Sequence, residues 1–330
     1  MNVTLLPLMG ALHLQYPQYN AVTVRDIVAV SQPDALALVP LTEGALDNPA
    51  WQDTPEIALP LAVVPWAKQQ NLPLYCVGEP SPDPDAYDDF QRYLNEYPQA
   101  AAQLQEVEML LRPLQAMLQE PLTLARIRRE VLPAVGEYWR ARDAQLGDGP
   151  GTDWLKSRSE RVAQRIVNVS VEHVVVLASS DQVPFLEMAL EEHGVNWLEP
   201  PQPAPSEEAQ TRAFLDFAFR GELSEPGNAI LRLQDIGTPE ARFHEGNIRF
   251  AYGQIEEAKA CLDIASRDNF SEPYFLPGYL LARLGQLHDV LGDRNAAKRA
   301  YKGVRALSYA PQDALEVAHA GLERPFTLPK

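Results

Sequence analysis

The chain has 330 residues, 46% hydrophobic and 22% charged, a globular composition with room for two domains. Its 28 Lys and Arg against 45 Asp and Glu leave a net charge of −17. Such a surface repels phosphate, so nucleic acid and anionic membranes are not expected partners. The one basic run, "LARIRRE" at 124–130, reads as a solvated helix face.

In chain order, strand-like runs alternate with helical ones. "NVTLLPLMG" (2–10) predicts a first strand; it lacks the basic flank and A-x-A site of a signal peptide, and no run of 18 apolar residues predicts a membrane span. "AVTVRDIVAVSQ" (21–32) has helical spacing, and "PDALALVPL" (33–41) predicts a second strand. "EIALPLAVVPWAKQQ" (56–70) is helical in composition, with two prolines expected to kink or break it. "LPLYCVGE" (72–79) predicts a third strand. Near-continuous apolar strands separated by helices imply a mostly parallel sheet with helices on both faces, and ligands of such sheets bind beyond the carboxyl ends of the strands.

After a Pro-rich loop at 79–85, residues 86–146 read as a helical insertion interrupted at Pro98, Pro113, Pro121 and Pro133, and "GDGPGT" (147–152) closes it. A helix over 153–168, with Thr152 or Asp153 as N-cap, leads to the strand "HVVVLAS" (173–179). A helix over 182–194, ended by Gly194, leads to a short last strand at 195–200. "PPQPAPS" (200–206) is the clearest linker. The expected division is an α/β domain over 1–200, a linker at 201–206 and an all-α domain over 207–330.

The last third contains an internal echo. Gly246, Gly253, Ala258 and Leu262 are spaced by 7, 5 and 4 residues, and so are Gly285, Gly292, Ala297 and Tyr301. This resembles the tetratricopeptide repeat, in which small residues stand where two antiparallel helices touch. The copies lie 39 residues apart instead of 34, and an aromatic is missing at the start of the first, so the pattern is a variant one. The resemblance implies helical hairpins and a protein partner.

Four ionisable residues fall at the expected carboxyl edge of the sheet or on the helix beside it. His13 follows the first strand, Glu79 the third, and Asp181 the fourth through "ASSD"; Arg158 lies on the preceding helix. Together they could hold a metal, polarise a carbonyl or bind an anion. Phosphate loops, zinc-protease, nucleophile-elbow and dinucleotide motifs are absent from the sequence. Cys76 and Cys261 read as buried thiols of a reducing cytoplasm.

"GALHLQYPQYNAVTVRDIVAVSQPDALALVPL" resembles the opening of the TraB/TIKI superfamily, which includes erythromycin-esterase-like and ChaN-like proteins: a strand, a G-x-x-H motif, a helix, "PD" and a second strand. "SRSERVAQRI" resembles its arginine-bearing helix, with Arg158 at the arginine position. "VVVLASSDQVPFLEMALEEHGV" resembles its last strand and second G-x-x-H. The resemblance implies a metal-assisted hydrolase site with His13 in its intact G-x-x-H motif, and Asp181, at the second histidine position, could still ligate a hard metal. The sequence departs from that pattern: Ala178 and Asp181 stand at the second glycine and histidine, and the acidic residue expected after the second strand falls on Val39 to Leu41. The leading reading is therefore a cytoplasmic bacterial protein-interaction or scaffold protein with a degenerate hydrolase-like domain. The alternative is an active metal-dependent hydrolase of peptide or ester bonds, in which His13, Glu79 and Asp181 would bind metal or act as acid and base and Arg158 would hold the substrate anion, and a third is a small-ligand sensor.

Overall fold

The computed structural model describes residues 1–80, 92, 95–147, 153–223 and 225–328. The loop expected at 79–85, the start of the insertion, most of "GDGPGT" and the candidate cap Thr152 lie largely outside these residues. The chain is a mixed α/β protein of two compact units: 1–48 with 55–209, and 49–54 with 210–330.

The first unit is built on a five-stranded parallel sheet. Its strands are β1 (Asn2–Leu8), β2 (Ala35–Thr42), β3 (Leu74–Gly78), β4 (His173–Ser179) and β5 (Trp197–Leu198). The order across the sheet is β3-β2-β4-β1-β5. β4, which follows the helical insertion, pairs with β1 from Asn2↔His173 to Leu8↔Ser179 and with β2 from Ala35↔Val174 to Leu38↔Leu177. β1 and β4 are buried almost throughout, as their unbroken apolar runs require. Because β4 lies between β1 and β2, the segment after Ser179 emerges beside the loop after Leu8. That places Asp181 next to the His13 loop.

The helices of this unit are α1 (Ala21–Ser31), α2 (Val64–Gln69), α3 (Pro98–Glu108), α4 (Leu111–Leu118), α5 (Leu132–Leu146), α6 (Asp153–Val167) and α7 (Val183–Glu192). Asn20 caps α1 by accepting from Thr23 N–H at 3.0 Å. Of the two outcomes expected at the prolines, a kink or a break, the break does not occur. Pro60 and Pro65 do not break the second helical segment: a π-turn over Leu59–Val63 runs directly into α2. A second π-turn, Ile127–Val131, leads into α5 through Pro133. In each case the residue before the proline, Val64 or Leu132, donates its N–H five residues back, to Leu59 or Ile127. Widening the turn accommodates a ring that would clash in a regular α-helix. Pro113 sits inside α4, so it does not interrupt either; Pro98 opens α3 and Pro121 lies between helices.

A helix α8 (Glu207–Arg220) contains the boundary between the units. The second unit continues with α9 (Pro226–Ile236), α10 (Pro239–Ala251), α11 (Ile255–Ala265), α12 (Leu276–Val290), α13 (Arg294–Ala306) and α14 (Gln312–Glu323). α10 with α11 and α12 with α13 form helical hairpins, and α14 packs on both helices of the second. The repeated spacing marks their closest contacts. A Cβ on Gly246 would stand 2.8 Å from Leu262 Cδ2, and one on Gly285 would stand 2.3 Å from Tyr301 Cε1. Tyr301 is fully buried in a core with Ala297, Val304 and Ala318. The segment 49–54 belonging with this unit was not foreseen from sequence.

Candidate functional site

The loop between β1 and α1 is held by polar bonds made below the surface. His13, 1% exposed, donates from Nδ1 to the Tyr19 carbonyl at 2.7 Å, and its Nε2 accepts the Met9 N–H at 3.0 Å. The Met9 donor fixes the tautomer: Nε2 must carry the lone pair, so the proton is on Nδ1. Burial lowers the His13 pKa to about 4, against the small upward pull of the Tyr19 carbonyl. The Tyr19 ring leans on the imidazole at 5.2 Å, and its hydroxyl donates to the Pro7 carbonyl at 2.6 Å. Tyr16, equally buried, donates its hydroxyl to the Leu118 carbonyl at 2.8 Å.

Gly10 adopts φ 59°, a left-handed conformation suited to glycine. Its N–H donates at 2.8 Å to Oε2 of Glu56, a carboxylate only 5% exposed. Burial raises the Glu56 pKa; hydrogen bonds from Ser179 and Gly10 oppose that rise, and the negative charge of Asp181 adds to it. Asp181 is surface-exposed, but the packing around its carboxyl raises its pKa as well. The backbone N–H groups of Asp181 and Gln182 and the Arg158 guanidinium pull it the other way. Arg158 feels both Asp181 and Glu79 while partial burial lowers its own pKa. Glu79 is tied into ion pairs with Arg161, at 3.0 Å, and with Arg165. Arg165 also donates to the Gly78 carbonyl at 2.7 Å, capping the end of β3.

Of the expected residues, Asp181 and Glu79 are each electrostatically coupled to Arg158. His13 is buried in the loop after β1 with both ring nitrogens bonded to backbone, so neither is offered to a metal or a substrate. This revises its expected part as ligand and catalytic group: the histidine clamps the loop. Glu79 is likewise engaged by two arginines. Among the described residues no three His, Cys, Asp or Glu side chains gather closely enough to hold a metal ion. A divalent metal between His13 and Asp181 does not fit this donor set, because both imidazole nitrogens are engaged by the backbone and His13 has no free lone pair. Glu56 was missed from sequence; its only signal is one acidic residue directly before the apolar run "IALPLAVV".

No family model matches the chain, and no curated protein and no solved structure matches it. The fold and its edge define a class: a mixed α/β protein with a parallel sheet and an acidic, arginine-bearing carboxyl edge, followed by helical hairpins. No helix among the described residues is long and apolar enough to cross a membrane.

Proposed function

We propose that this chain works by protein–protein interaction in the cytoplasm, through a tetratricopeptide-like helical unit. Its α/β unit is then a divergent TraB/TIKI-like domain whose histidine has become structural. One repeated observation carries the reading. The turn of each hairpin ends in a left-handed glycine, Gly253 or Gly292, and the residue before each is a large exposed hydrophobe. These are Tyr252, 66% exposed, and Leu291, 37% exposed. Two apolar side chains at equivalent turn positions offer a partner roughly 1.5–3 kcal/mol each on burial.

The test is photo-crosslinking from benzoylphenylalanine placed at Tyr252, Leu291 or, as a control, the exposed Lys302 of α13. Discrete protein adducts from the first two sites and not from the third are expected. A double Tyr252→Glu, Leu291→Glu variant should lose the same partner while keeping its circular dichroism spectrum. Adducts that do not distinguish the three sites, or none at all, overturn the reading.

A second reading, hydrolysis, is favoured by one feature: Asp181, with its pKa raised, is coupled both to Glu56, whose pKa is raised as well, and to the partly buried Arg158. Here Glu56 or Asp181 would act as acid and base and Arg158 would hold the substrate anion, without His13. Turnover of an ester or peptide panel that Glu56→Gln and Asp181→Asn abolish would establish it.

A further inference from the structure

Within the first unit, α5, α6, α7 and β5 line an open cavity of about 680 Å³, whose lining includes none of His13, Glu79, Arg158 and Asp181. Its size suits a small organic ligand. Three aromatic rings line it: Trp139, Phe185 and Trp197. Trp139 and Phe185 meet edge to face with centroids 5.9 Å apart. Trp197 is oriented by its Nε1–H, which donates to Glu191 at 3.3 Å.

The polar group that faces these rings is under-used. Arg128 lies on the π-turn before α5, and its side chain is only 8% exposed. Its guanidinium stands 4.9 Å from the Trp197 ring centre. Its contacts are long: 3.4 Å to the Leu5 carbonyl, 3.5 Å to Glu187 and 3.9 Å to Glu199. Its Nε has no hydrogen-bond partner among the described residues. A buried guanidinium with five donors and only marginal acceptors is costly, and a ligand acceptor would relieve it. Yet the carboxylates of Glu187 and Glu199 stand beside it, so a simple anion would meet repulsion. A simple cation would be served by the carboxylates and would leave the guanidinium unsatisfied.

We propose that this cavity binds a small zwitterion with a flat apolar body, of the class of the aromatic α-amino acids. Its carboxylate takes the unmet N–H groups of Arg128, its ammonium takes Glu187, and its ring packs against the aromatic wall of Trp139, Phe185 and Trp197. The weak Arg128–Glu187 contact fits this arrangement: both groups lie close enough to serve adjacent charges of one ligand, and neither is saturated by the other.

Isothermal titration of the full chain with L-tryptophan, indole-3-propionate and tryptamine tests each part. The amino acid should bind at least roughly tenfold more tightly than either analogue, the loss expected for one charge-assisted hydrogen bond. Arg128→Gln should weaken L-tryptophan binding by a similar factor. Trp139 is only partly buried, so Trp139→Ala should fold normally and still weaken binding about fivefold, which keeps the test decisive if Arg128→Gln is unstable. An analogue that binds as tightly as the amino acid overturns the proposal. So does the absence of binding by all three probes, or a folded Trp139→Ala variant that binds like the parent.

Discussion

Replacing His13 by alanine separates a structural histidine from a reactive one. The substitution leaves the Met9 N–H and the Tyr19 carbonyl buried without their partners. At about 1–3 kcal/mol for each orphaned group, a loss of roughly 3–5 kcal/mol is expected at pH 7.5. Protonation perturbs the same contacts, because it would turn Nε2 into a donor facing the Met9 donor. The folded pKa of about 4 lies below the ordinary 6.5. The unfolded chain therefore takes up the proton first, and the stabilising contribution is full above pH 6.5 and fades as pH falls toward 4. By pH 4.5 about 2.5 kcal/mol of it is gone. The measurement is urea unfolding followed by tryptophan fluorescence, since Trp66, Trp139, Trp154 and Trp197 all belong to the first unit. Other acids also titrate in this range, so the informative quantity is the gap between parent and His13→Ala, which should shrink by about 2.5 kcal/mol from pH 7.5 to 4.5. A gap that does not change with pH, or an imidazole resonance titrating near 6.5, would refute the clamp.

Other outcomes concern the helical unit. Tyr301 is wedged between Gly285 and Gly321, where an added Cβ would lie 2.3 Å from its ring in each case, and its hydroxyl is tied to Asp289 at 3.0 Å. Gly285→Ala and Gly321→Ala should each lower stability by about 1–3 kcal/mol net of the helix-propensity gain, read by chemical denaturation, whereas Gly227→Ala, with open space around it, should be neutral or gain up to about 1 kcal/mol. A buried network joins α8 to α10: Arg212 pairs bidentately with Glu240, at 2.7 and 2.8 Å, and gives only its Nε to Asp216, at 2.9 Å. Glu240 is held at about 2, so its contribution is full above pH 4.5 and lost on acidification toward 2; Glu240→Gln should cost on the order of 3 kcal/mol at pH 7. Burial instead lifts Asp216 to about 7, so its contribution is greatest below pH 3.8 and lost as pH rises through 7, and Asp216→Asn should stabilise the protein at pH 8. Thermal unfolding of both variants at pH 5 and pH 8 checks the opposite signs.

The sheet was legible because its strands are apolar on both faces; β4 was read over the same seven residues it occupies. Strand order was not legible, since nothing local says that β4 enters between β1 and β2. That one topological fact puts Asp181 beside the His13 loop. The hairpins were legible through glycine, because Gly246 and Gly285 stand where another side chain would collide with Leu262 and Tyr301. The part His13 plays was not legible. A histidine following a strand reads the same whether its nitrogens face solvent or backbone, and only the three-dimensional course of the loop supplies the Met9 and Tyr19 partners.

Arg128, a buried ionisable group of the first unit that the sequence did not single out, has a local cause for its burial. It lies in a π-turn that ends two residues ahead of Pro133. Inserting one residue into a helical turn rotates everything upstream by about 100° relative to the residues downstream. A 3.6-residue pattern read through such a point assigns the wrong face to the upstream residues. "ARIRREVLP" therefore looks like an ordinary solvated helix, and the rotation turns its guanidinium inward; Glu56 precedes its helix and is placed instead by its bond from the Gly10 N–H. The proline that seems to end a helix instead re-aims the side chains before it, so a charged residue a few positions ahead of such a proline is a candidate for a buried site even where the periodicity places it in water.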